Sequence, residues 1–150
     1  NILSSHDLIR HAFPKFTEVE IERTEKNLDV KHIEHTSILE IRFHSINAER
    51  GKSDLKTLIT ALDSSIIEQE LNRADSVIIF IENQLDNLVV ELIQLEEKAQ
   101  AAPTADAKKK YAIAEKTHTF LLEKKTETAI AKAGIVSRIR VIEEPRLVVE

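Results

Sequence analysis

Two histidines three residues apart, His32 and His35 in "KHIEH", are of a type that binds metals. Ligands at i and i+3 share one side of a helix, whereas on an extended chain they point to opposite sides. The surrounding stretch reads as extended and no other ligand set is evident, so both read as surface histidines. Glu96 and Glu97 are adjacent carboxylates. Hydrolysis of a glycoside needs two carboxyls facing each other across about 5 to 10 Å, and neighbours on a coiled-coil helix enclose no cleft. Three arginines make a clearer pattern. Arg138 and Arg140 lie on one face of an alternating segment, and Arg42 lies on the outward face of the segment expected to pair with it. Their chemistry is contact with an anionic glycan, lipid headgroups or a neighbouring subunit; the competing use is cross-strand pairing with Glu40 and with Glu18, Glu20 and Glu22. Lys108, Lys109 and Lys110 open a helix, where positive charge opposes the dipole, and they are placed to reach the acidic end of the helix before it. Ser, His and Asp are present without a recognisable nucleophile setting. The expectation is therefore no catalytic residue, no metal and no cofactor.

The chain has 150 residues and a net charge of −5, with 42% hydrophobic and 31% charged side chains. That suits a folded domain and argues against a general nucleic-acid binder. There are no cysteines, which excludes disulfides and thiolate metal sites. Only Gly51 and Gly134 are glycines, too few for a phosphate-cradling loop or an all-β fold with many tight turns. No apolar run approaches the roughly 18 residues that span a membrane. A start at Asn1 implies an excerpt of something longer.

Periodicity supplies the elements. "SSHDLIRHAF" (4–13) reads as a helix capped by Ser4 or Ser5, with Leu8, Ile9, Ala12 and Phe13 on one face and Pro14 ending it. "EVEIER" (18–23) alternates and reads as a half-buried strand. "LDVKHI" (28–33) is a weaker strand, and "SILEIRFHS" (37–45) is the best, with Leu39, Ile41 and Phe43 pointing inward. Gly51 and Ser53 then punctuate, with Ser53 as the N-cap. From Leu55 to about Gln100 nothing breaks a helix: Ile67, Leu71, Ala74, Ile78, Ile81, Leu85, Leu88, Leu92 and Leu95 recur in steps of four and three. "AAPTADA" (101–107) is a turn with Thr104 as the next cap. A second helix runs from about Lys108 to Ala133, its weaker stripe being Ala114, Thr117, Leu121, Lys124, Thr128 and Ala131. Gly134 closes it in a left-handed conformation, and residues 135–142 alternate as a final strand.

A short turn between two helices implies an antiparallel hairpin. Residues 55–100 carry three basic and nine acidic side chains, and residues 108–133 carry seven and three, so the two are expected to be electrostatic partners. A helix of roughly 70 Å exceeds a compact domain of this size. The expected fold is therefore α+β: a small sheet-and-helix base domain (1–54 and 134–150) with a long protruding antiparallel helical hairpin (55–133), the lower part of its first helix packing on the base.

The segment "FLLEKKTETAIAKAGIVSRIRVIEEP" (120–145) resembles the C-terminal signature of the polysaccharide co-polymerases, the Wzz/Wzc-type chain-length determinants. In that family a Phe-Leu-Leu helix passes through small residues into a Val-Ser strand bearing arginine and ending in an acidic residue and Pro. "ILEIRFHSINAERGKSDLKTLITALDSSIIEQEL" is similar to the family's strand and the start of its long helix, and "ILSSHDLIRHAF" resembles its early helix. Ala48 departs from the pattern, standing where the family usually has Pro; the stretch from Phe13 to Glu18 is short, and "RLVVE" lacks the usual basic, Pro-rich run.

The resemblance implies the periplasmic portion of a bacterial inner-membrane protein, flanked by transmembrane helices outside this chain. It implies a homo-oligomeric ring that acts with a polysaccharide polymerase and the nascent glycan to set the chain length of an O-antigen, capsule or exopolysaccharide. It implies no enzyme activity in this portion, although some members carry a cytoplasmic tyrosine kinase elsewhere. Three other readings compete. A hairpin adaptor of an efflux or secretion system would flank its hairpin with Gly-rich half-barrels. The sensory portion of a membrane tyrosine kinase would be followed by a membrane helix and a nucleotide-binding loop. A generic coiled-coil structural protein would have no flanking membrane helices.

Overall fold

A computed structural model of the chain describes residues 4–148. Six elements follow one another: α1 (Ser5–Ala12), α2 (Glu18–Lys26), β1 (Leu28–His32), β2 (Leu39–Phe43), α3 (Ala48–Ala101) and α4 (Ala105–Ala133). The fold is α+β and rich in helix, as expected. The chain forms two compact units, one running to Ile66 and resuming at Ser137, the other spanning Ile67–Val136.

The core of the first unit gathers three helices. Leu8 and Ile9 of α1, Ile21 of α2, and Leu58 and Ala61 of α3 are buried together. Phe13 and Phe16 stack at 4.6 Å between ring centres, against that cluster. Ser4 caps α1 by accepting from the Asp7 amide at 3.2 Å. Arg10 of α1 pairs with Glu18 of α2, and His6 lies 3.3 Å from Glu18 and 3.6 Å from Glu25.

Residues 18–23 are helical, not a strand, and the reason is local. Thr17 and Glu20 form a capping box: the Thr17 hydroxyl accepts from the Glu20 amide, and the Glu20 carboxylate accepts from the Thr17 amide at 2.7 Å. Two apolar residues, Val19 and Ile21, satisfied the strand pattern by chance; only Ile21 is buried and Val19 is 67% exposed. The box also holds the Glu20 carboxyl below the ordinary value of 4.5, through the Thr17 amide first and the Thr17 hydroxyl second. A group with a depressed folded pKa stabilises the native state above its unfolded value and loses that effect as pH falls through the folded value. The helical signal of α2 should therefore weaken below pH 4.5. Replacing Thr17 by Ala should cost about 1 kcal/mol of stability and flatten that pH dependence, both readable by circular dichroism during urea titration.

β1 and β2 pair antiparallel, from Leu28 opposite Phe43 to His32 opposite Leu39. They form the whole sheet among the described residues. Ile41 and Phe43 are half-buried, as expected, but Leu39 is exposed, at the end of the ribbon next to the β1–β2 connection. Residues 135–142 make no ladder with β2; they run as irregular chain. Their alternation satisfies the strand pattern, yet they are held by side chains instead. The Ser137 hydroxyl donates to Asp63 at 2.8 Å, and just past the segment Lys56 lies 3.6 Å from Glu144.

The long helix starts at Ala48, earlier than Ser53. Asn47 caps it, accepting from the Arg50 amide at 2.9 Å. Gly51 lies inside the helix because Ser45 crosses close by: a Cβ added at Gly51 would stand 2.8 Å from the Ser45 Cβ. Gly51→Ala should thus destabilise by about 1 kcal/mol despite the better helix propensity of Ala. Adding Ser45→Gly should restore most of the loss, measured as a denaturation midpoint.

The second unit is an antiparallel helix pair. On α3, the expected stripe faces inward, with Ile81, Leu85 and Leu88 buried and Ile67, Leu71, Ala74, Ile78, Leu92 and Leu95 half-buried. On α4 the seam is Ala107, Tyr111, Ala114, His118, Leu121, Lys125, Thr128 and Lys132, again in steps of four and three. The expected stripe shared Ala114, Leu121 and Thr128 with it but placed Thr117, Lys124 and Ala131 inward, where they are exposed. Lys125 and Lys132 occupy seam positions because long aliphatic stems can cover apolar surface while the ammonium reaches outward. Lys125 meets Glu82 at 2.8 Å and Lys132 meets Asp75. One heptad forward on α3 matches one heptad backward on α4, which fixes the antiparallel register. These pairs also realise the charge complementarity expected between the two helices. α4 ends at Gly134, whose φ of −89° is not left-handed; its amide closes the helix onto the Ile130 and Ala131 carbonyls at 3.2 and 3.1 Å.

Candidate interaction site

Arg138 and Arg140 line a cleft of about 510 Å³ together with Ser37, Ile38, Val141 and Ile142. Two parts of the first unit build it. The irregular segment after α4 supplies the arginines, and the connection between β1 and β2 supplies Ser37 and Ile38. That connection is well specified: the Ile33 amide donates to the Ile38 carbonyl at 3.0 Å, and the Thr36 hydroxyl donates to the Ile33 carbonyl at 2.8 Å. His35 lies in it with a φ of 62°, a left-handed conformation that suits a tight reversal.

The cleft brings two guanidiniums together beside apolar side chains. Guanidinium is permanently charged and matches carboxylate or phosphate in a forked geometry. Ile38, Val141 and Ile142 supply apolar area beside it, the last 72% exposed. Arg42 is not brought into this cleft. It donates to Glu40 at 3.0 and 3.2 Å, two residues along the same strand and therefore on the same face. Of the three arginines, two come together and the third serves its own strand.

The other candidates stay apart. Among the described residues no group of three metal-binding side chains occurs, and His32 is exposed on β1. Glu96 and Glu97 are exposed near the end of α3. Lys110 pairs with Asp106 on its own helix at 3.1 Å instead of reaching α3. Lys124 is held above its ordinary range by its hydrogen bond to Glu127 and rests 5.5 Å above the Phe120 ring. Ser37 and Ile38 belong to the cleft without having been singled out as its residues; they were expected in the strand, but β2 starts at Leu39 and both lie in the connection before it.

Compared with family models, curated proteins and solved structures, the chain matches none.

Proposed function

We propose that this chain is the periplasmic portion of a polysaccharide co-polymerase, an oligomeric, non-catalytic scaffold at a bacterial inner membrane that regulates how long a surface glycan grows. The observation that carries the reading is the course of residues 120–145. The Phe-Leu-Leu helix is α4, it ends at Gly134, and the Val-Ser-Arg-Ile-Arg run then lies beside the β1–β2 connection. The family resemblance has the same helix and the same closing small residue, with a strand where this chain runs irregularly. The pairing of the acidic α3 with the basic α4 at Asp75–Lys132 and Glu82–Lys125 supports this reading.

The polymerase, the nascent glycan and neighbouring copies are the partners in this reading, with Arg138 and Arg140 as contact residues. Removing the parent gene from its host tests it. Surface polysaccharide separated by size should still be made but lose its preferred length, spreading toward short chains. A size distribution identical to the parent strain rejects the proposal, and so does complete loss of polymer, which would point to an enzyme of synthesis.

A further inference from the structure

A second groove in the first unit, of about 610 Å³, runs along α3 beside the end of α1. Its walls carry Glu49, Lys52, Lys56, Thr57 and Thr60 from α3 and His11 from α1. We infer that this groove binds an anionic glycan, its lysines taking carboxylate or phosphate groups and its threonines taking sugar hydroxyls. The inference rests on the function proposed above and names the chemical class of the polymer.

The chemistry of the walls selects the ligand. Lys52 and Lys56 stand one helical turn apart, so both ammonium groups face the same groove. Each holds only a loose carboxylate: Glu49 is 3.7 Å from Lys52 and Glu144 is 3.6 Å from Lys56, and those glutamates are 88% and 78% exposed. Solvated pairs of that kind are worth at most about 1 kcal/mol, so a ligand anion can exchange for them. The Thr57 hydroxyl already donates to the Ser53 carbonyl at 3.0 Å, and the Thr60 hydroxyl to the Lys56 carbonyl at 3.0 Å. With their protons committed to the helix, both oxygens present only acceptor capacity to the groove. The walls thus ask for anions at the lysines and for hydroxyl donors at the threonines, and an acidic sugar chain offers both. Apart from the His11 imidazole no ring lines the groove to stack on a sugar face, so attraction there is mainly electrostatic and must fall with salt.

Calorimetric titration of the purified protein tests this with alginate oligomers as acidic glycan, dextran oligomers of equal length as neutral glycan, and phosphatidylglycerol vesicles as anionic lipid. Alginate is expected to bind, dextran not to, and the alginate affinity to fall about tenfold in a Lys52→Gln/Lys56→Gln variant and further as sodium chloride is raised. A Lys109→Gln/Lys116→Gln variant, with the same change of charge on exposed positions of α4, should bind alginate with unchanged affinity. Equal binding of dextran, an unaffected lysine variant, vesicle binding without alginate binding, or no binding at all overturns the inference. Size analysis of the host polysaccharide separates the two claims. If removing the gene abolishes the preferred length while the purified protein ignores alginate, only the groove assignment falls.

Discussion

Ile9→Ala is expected to lower the stability of the first unit by about 3 kcal/mol. Ile9 is fully buried, and with Ile21 and Leu58 it is one of the three largest side chains enclosed in this way. Each of the three comes from a different helix, so truncating one leaves a cavity that the other two border from separate elements. Collapse of such a cavity requires whole helices to shift. α1 has only eight residues, too few to hold helical form unaided in water. Its order derives from this contact and from the Arg10–Glu18 pair, which is exposed and contributes little. Urea titration followed by circular dichroism reads the loss. Val19→Ala, two residues from Ile21 and exposed, should change stability by less than about 0.5 kcal/mol. The contrast has a second use: in a strand, Val19 and Ile21 would face the same side and both substitutions would cost alike. Equal losses at Val19 and Ile21 would contradict the α2 helix, and a loss at Ile9 below about 1 kcal/mol would contradict the three-helix core.

Leu85→Asp should unpair α3 and α4, costing about 4 kcal/mol. Leu85 lies between Ile81 and Leu88 on the buried stripe, 8% exposed. The pairing of two helices offers one narrow seam, and no third element shares the load within that unit. A carboxylate there forfeits the leucine's burial and must be desolvated or drag water into the seam. The seam lysines, Lys125 and Lys132, are engaged by Glu82 and Asp75. Hydrogen exchange should show α4 amides losing protection along the helix. Val90→Asp, on the exposed side of the same helix, should leave protection as it was. Retained protection in the Leu85 variant would mean that the seam does not hold the pair.

These two contrasts also show what could be read from residues alone. The stripe of α3 was legible because nine apolar positions repeat without interruption, and a pattern that long has few competitors. The hairpin followed from Pro103 and Thr104, which stop one helix and cap the next. Short segments were less secure. Residues 18–23 contain only two apolar side chains, compatible with either period, and the deciding feature was the Thr17–Glu20 box, a polar signal outside the hydrophobic pattern. Residues 135–142 alternate well, but alternation says only which side chains share a face; it does not supply a neighbouring strand to pair with. The α4 seam was displaced by one residue at three positions because Thr117, Lys124 and Ala131 are no more polar by type than His118, Lys125 and Lys132, so residue type does not separate the two rows. Of the candidate contacts, Arg138 and Arg140 could be grouped from their spacing, whereas Arg42 was lost to Glu40 on its own strand. The groove of Lys52 and Lys56 was not legible in the sequence, since His11 reaches it from a helix far away along the chain.

The most direct measurement of the central claim is the size distribution of surface polysaccharide from host cells whose parent protein carries Leu85→Asp, present in the membrane at its usual abundance. If a paired-helix scaffold sets polymer length, chains are still made but their preferred length shortens or disappears, while cells carrying Val90→Asp at equal abundance retain more of it. An unchanged preferred length in the Leu85→Asp cells would contradict the account.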